Sequence, residues 1–138
     1  MRPTKQLIRA LGETAQRLRS DDHGYSWAHA TRCNCGVLAQ TLLGIGEIEL
    51  GAFGTCGTWT VSANYGHCAQ TGLPTRRLFK ALAACGVEAS DYERIEYLDA
   101  KDANVFDVPA NVAAWMDAQA DLLEARRAAG ERPERGAP

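Results

Sequence analysis

Apolar residues recur at helical spacing along most of the chain and predict an all-α fold. In residues 4–19, Leu7, Ile8, Leu11, Ala15 and Leu18 share one side of a helix. Lys5, Arg9, Glu13, Arg17 and Arg19 lie mostly around the rest. Pro3 sits where a first-turn proline is tolerated, and Gly24 reads as a breaker. A second helix is expected from Asn34, a good N-cap, with Val37, Leu38, Leu42 and Leu43 on one side and Gly44 as its stop. The pattern returns at Pro74 with Leu78, Phe79 and Leu82, and ends at Gly86. Residues 90–93 fit a capping box ahead of a helix over 94–98. A last helix is expected from about residue 111 to 128, striped by Val112, Trp115, Met116, Leu122 and Leu123 and interrupted by Gln119.

Residues 44–72 break this periodicity. They hold seven glycines, and the stretch 58–62 fits either a short strand or the lead into a short helix. The reading is a single helical domain over residues 1–130, a bundle of four or five helices with a Gly-rich irregular insertion between helices two and three. The polar, proline-bearing tail 131–138 is expected to be disordered. Neither an internal repeat nor a sustained heptad pattern is visible.

Composition narrows the function classes. The 138 residues are 46% hydrophobic and 23% charged, an ordinary globular balance that needs no disulfide or metal merely to fold. With a formal net charge of −2, no basic excess points to nucleic acid or an anionic membrane. The helix-turn-helix outline over residues 78–98 carries Asp91, Glu93, Glu96 and Asp99 against Arg94 alone, a face that phosphates would be repelled by. No run approaches the about 18 apolar residues of a membrane span. The amphipathic N-terminal segment lacks the features of a secretory signal. A cytoplasmic location is therefore expected, with reduced thiols. Association with a second copy or another protein is left open.

Candidate chemistry concentrates between residues 23 and 68, which hold all three histidines and four of the five cysteines. An odd cysteine count cannot be fully paired within one chain, which favours thiols or ligands over staples. A metal site would take His29, Cys33, Cys35 and Cys68 as ligands, with His67 in reserve. Zinc suits this thiolate and imidazole set. Cys33, Cys35, Cys56 and Cys68 could instead hold iron or an iron–sulfur cluster, although no usual ferredoxin spacing is present. A second reading is a cysteine-dependent enzyme. Cys35 in the first turn of a helix would have its thiolate favoured there, with His67 or His29 as base. Thiol redox is a third, either as a Cys33–Cys35 disulfide or with one of them resolved by Cys68. A fourth is a non-enzymatic helical interaction module whose cysteines are small core residues. Cys85, at a helix end, reads as the last kind. Trp27, Trp59 and Trp115 read as core anchors, with Tyr25 and Trp27 beside the cysteines and able to shield a site from water.

The stretch 27–40, WAHATRCNCGVLAQ, resembles a group of small bacterial proteins with a W-x-H-x-x-x-C-N-C-G core. Trp27, His29, Cys33, Asn34, Cys35 and Gly36 are the matching positions, and the later TGLP at 71–74 is similar too. The resemblance draws attention to these residues and implies no substrate, cofactor or mechanism.

Overall fold

Thr4 starts the first helix. Its hydroxyl oxygen accepts the Leu7 N–H at 3.0 Å, satisfying one of the amides a helix start leaves free. The resulting α1, Lys5–Arg19, buries Leu7, Ala10, Leu11, Thr14, Ala15 and Leu18 along one face. The computed structural model describes residues 1–20, 24–53, 58–68, 71–100 and 102–134.

The apolar face of α1 lies along α8, Pro109–Ala128, and against α2, Asn34–Leu43. From α8 come Val112, Ala113, Met116 and Leu123, all buried. A fully buried leucine contributes about 1.5–3 kcal/mol relative to an exposed one, so this seam is a principal source of stability. α2 is buried from Asn34 to Gln40 without a polar side, because α1, α3, α5 and α6 all pack against it. A helix hydrophobic all round belongs in the centre of a fold. Gly44 ends it in the left-handed conformation (φ 66°), as the sequence predicts.

The Gly-rich insertion is more regular than its composition suggests. It holds α3, Glu47–Ala52, and α4, Trp59–Tyr65. The 58–62 stretch is therefore the start of a helix and not a strand. Trp59 decides this: it is 2% exposed and stacks on Tyr92 (5.8 Å) with Phe79 edge-on to it, so packing overrides β propensity. Among the described residues the nearest thing to sheet is one isolated antiparallel bridge between His67 and Pro74.

α5, Arg76–Ala84, presents Leu78 and Leu82 to the core. Gly86 follows at φ 111°, where a Cβ would sit 2.8 Å from the Arg2 carbonyl oxygen. The chain then takes a 3-10 turn, Ala89–Asp91, before α6, Tyr92–Tyr97, and α7, Ala103–Phe106. The capping box lies two residues earlier than expected, between Glu88 and Asp91. The acidic face expected over 91–99 is also corrected, since Asp91 and Glu96 are buried. In α8, Gln119 is buried while Leu122 is 56% exposed, so the apolar stripe is shifted.

The architecture is an all-α bundle with one shared core. Its five expected helices are present, and α3, α4 and α7 add to them. No described helix is long and apolar enough to cross a membrane. Of the tail expected to be disordered, residues 135–138 lie outside the described residues, as do His23 and Cys56.

Candidate functional site

Cys33, and not Asn34, caps α2. Its backbone is extended, and its Sγ accepts the Gly36 N–H at 3.4 Å. The sulfur also lies 3.6 Å from the Ala30 carbonyl oxygen. Asn34 is thereby the first helical residue, wholly buried, and it uses both ends of its amide. Its Oδ1 accepts the Cys35 N–H at 3.1 Å, while Nδ2 donates to the carbonyl oxygens of Ile95 and Glu96. Asn34 thus ties the start of α2 to the last turn of α6.

This local geometry brings the two thiols together. Cys33 and Cys35 are 4% and 2% exposed, and their side chains interact closely enough to shift each other's ionisation in opposite directions. The interaction with Cys35, with the Gly36 N–H, holds the Cys33 thiol below the usual cysteine range in spite of its burial. Burial pushes Cys35 well above that range, reinforced by its interaction with Cys33. Within the pair, ionisation is thus favoured at Cys33 over Cys35.

Four elements enclose the pair. The turn segment before α2 folds over it, fastened where Trp27 Nε1 donates to the Glu96 carbonyl oxygen (2.9 Å) and Tyr25 to that of Phe106 (2.7 Å). Trp59 Nε1 holds the Ala30 carbonyl at 2.9 Å, and Gln40 holds that of Thr31 at 2.6 Å. Gly36 lets this segment approach: a Cβ there would sit 2.3 Å from the Ala30 oxygen. Glu96 supplies the site's carboxyl group. It is 4% exposed, its Oε1 accepts the Thr60 N–H at 3.0 Å, and its Oε2 accepts the Thr60 hydroxyl at 2.9 Å. It therefore caps the first turn of α4 from outside. Burial raises its carboxyl above the usual glutamate value, and its charge also bears on both cysteines.

The remaining predicted residues lie elsewhere. His29 is exposed, with Nδ1 3.1 Å from the Thr31 hydroxyl, which itself donates to Glu47. That hydroxyl has one proton, so the imidazole donates from Nδ1. His67 is exposed on Tyr65, its Nδ1 3.1 Å from the Tyr65 carbonyl oxygen. Cys68 is fully buried and disulfide-bonded, its partner outside the described residues, so its sulfur is not a thiolate ligand in this state. Cys85 is half-buried at the end of α5. Of His29, Cys33, Cys35 and Cys68, the fold joins only the second and third. Among the described residues no three His, Cys, Asp or Glu side chains converge on a metal-sized site.

Glu96 and the role of Asn34 were missed in the sequence. The signal was present: Tyr92, Ile95 and Glu96 stand at i, i+3 and i+4, which puts a glutamate on the apolar face of a helix. The chain matches no known family, no curated protein and no solved structure, so the chemistry of the site rests on its geometry.

Proposed function

We propose that the protein is a thiol-redox protein working through Cys33 and Cys35. The observation that supports this is the pairing itself: two buried thiols, one polarised toward thiolate by a helix-start amide and by its interaction with the other. Cys33 is the attacking sulfur and Cys35 the resolving one, the reverse of the nucleophile assignment that helix position alone suggests. Once the covering segment opens, the Cys33 thiolate attacks one sulfur of a substrate disulfide, and the other substrate sulfur leaves as a thiolate. Cys35 then gives up its proton and attacks Cys33, releasing the second substrate thiolate. Two electrons pass to the substrate, which becomes two thiols, and the protein gains a Cys33–Cys35 disulfide.

The test is treatment of the folded protein with excess oxidised glutathione, followed by blocking, digestion and mass spectrometry. The expected product is a Cys33–Cys35 disulfide formed through a Cys33–glutathione adduct. Persistence of both thiols in a protein that opens and recloses during the incubation would refute the proposal.

Zinc remains the second reading, supported by the same two adjacent sulfurs, which are half of a tetrahedral thiolate site. It requires His29 to leave Thr31 and Cys68 to leave its disulfide, or ligands from outside the described residues. Elemental analysis of anaerobically purified protein separates the two: about one zinc per chain, lost in Cys33→Ser, favours the metal.

A further inference from the structure

An open cleft of about 530 Å³ lies between the start of α1 and the end of α8, and neither thiol lines it. Arg2, Lys5, Arg9 and Arg127 line it, against Glu134 as the one acid among the described residues of its walls. Two of these cations build the walls. Arg2 donates to the carbonyl oxygens of Ala83 and Pro133, with Glu88 Oε1 3.3 Å from its Nε, and Arg127 donates to that of Pro3 at 3.3 Å. The guanidinium planes are thus fixed by the backbone and not by the rotamer preferences of free side chains. Lys5 and Arg9, four residues apart on one face of α1, make no ion pair or hydrogen bond among the described residues.

Cations without a carboxylate partner among the described residues occur elsewhere, Arg77 and Lys80 among them, but here three of them share one cleft. Arg19, Arg32, Arg94 and Arg126 each pair with a carboxylate, at Asp117, Glu47, Asp99 and Glu131. In a chain of net charge −2, acids are available, yet Lys5, Arg9 and Arg127 pair with none among the described residues. Like charges at i and i+4 oppose each other, and α1 has no acidic residue in its first turn to offset them. A multivalent oxyanion in the cleft would relieve that repulsion. The volume is that of a small-molecule site.

We infer that this cleft binds a small phosphorylated molecule, its phosphate groups held by Lys5, Arg9 and Arg127 with Arg2 behind them. Mixed lysine and fixed arginine donors arriving from several directions suit a phosphate better than a flat monocarboxylate. The proposal is independent of the thiol chemistry.

The test is calorimetric titration of the full chain with inorganic diphosphate at physiological salt, with acetate as the monovalent comparison. Diphosphate is expected to bind at one site. Affinity should fall by at least about tenfold in the double variant Lys5→Gln/Arg9→Gln and stay unchanged in Arg77→Gln/Lys80→Gln, which removes the same charge from exposed positions on α5. Equal losses in both variants would mean diffuse attraction and overturn the site, as would the absence of saturable binding or an acetate affinity matching that of diphosphate. Both pairs of side chains are exposed and glutamine is compatible with helix, so circular dichroism should show both variants folded.

Discussion

Gly36 meets the Ala30 oxygen and the Thr31 backbone at distances no Cβ can share. The obstacle is backbone on both sides, so nothing flexible can move aside. Gly36→Ala should cost about 1–3 kcal/mol, as overpacked sites do, read as a lower denaturation midpoint. The same residue-level logic applies to Asn34. Asn34→Asp keeps the shape but turns two donated hydrogen bonds into a carboxylate facing two carbonyl oxygens. A loss of about 2–4 kcal/mol is expected in urea denaturation at neutral pH. Cys33 separates the two functional readings through stability. As a plain N-cap, sulfur is a poorer acceptor than oxygen, so Cys33→Ser should hold or raise the melting temperature while Cys33→Ala lowers it by about 1 kcal/mol equivalent. Under the zinc reading Cys33→Ser lowers the melting temperature together with metal content.

At the scale of elements, Glu96 joins α6 to the start of α4 and Asn34 joins α2 to α6, so three helices meet around the thiols. The raised carboxyl of Glu96 has a consequence for pH. In the native protein it holds its proton over a window above the ordinary glutamate value in which the unfolded chain has lost it. The native state binds more protons there, so this residue's contribution to stability falls as pH rises through that window and is complete below it. Glu96→Gln should therefore shrink the stability difference between mildly acidic and neutral pH, measured by urea unfolding at each. Because the Glu96 charge also opposes ionisation of Cys33, the same variant should shift Cys33 alkylation to lower pH. The covering segment is the other relevant element. Trp27 packs on Tyr97 and Phe106 at 5.7 and 4.7 Å, and removing it by Trp27→Ala should speed alkylation of Cys33 in the native protein. An unchanged rate would mean that access to the thiols does not run through this segment.

For the whole molecule, α2 is the centre to which most other elements are fitted, and the thiols sit at its buried start. Reagent access to them therefore depends on the opening of the fold around them. Increasing urea well below the unfolding midpoint should accelerate labelling of Cys33 and Cys35 together if a local opening exposes both. The cationic cleft lies at the surface between α1 and α8, where no such opening is required.

The sequence by itself determined the all-α class, the long amphipathic helices and the helix-stopping glycines. These follow from local rules: the 3.6-residue period in α1 and the left-handed turn at Gly44. It also singled out Cys33 and Cys35 as candidate chemistry. Tertiary structure decided which neighbours those cysteines have. His29 is close in sequence to the pair yet turns to Thr31, and Cys68 is in a disulfide, whereas Glu96, more than sixty residues on in the chain, forms part of the enclosure. Residues 58–62 became helix because Trp59 found Tyr92 and Phe79, a contact no local window contains. Spacing along the chain constrains only what one element's geometry fixes. The partners of a buried polar group depend on how separate elements pack, and here that packing buries Cys33 and Cys35 side by side while His29 stays on the surface.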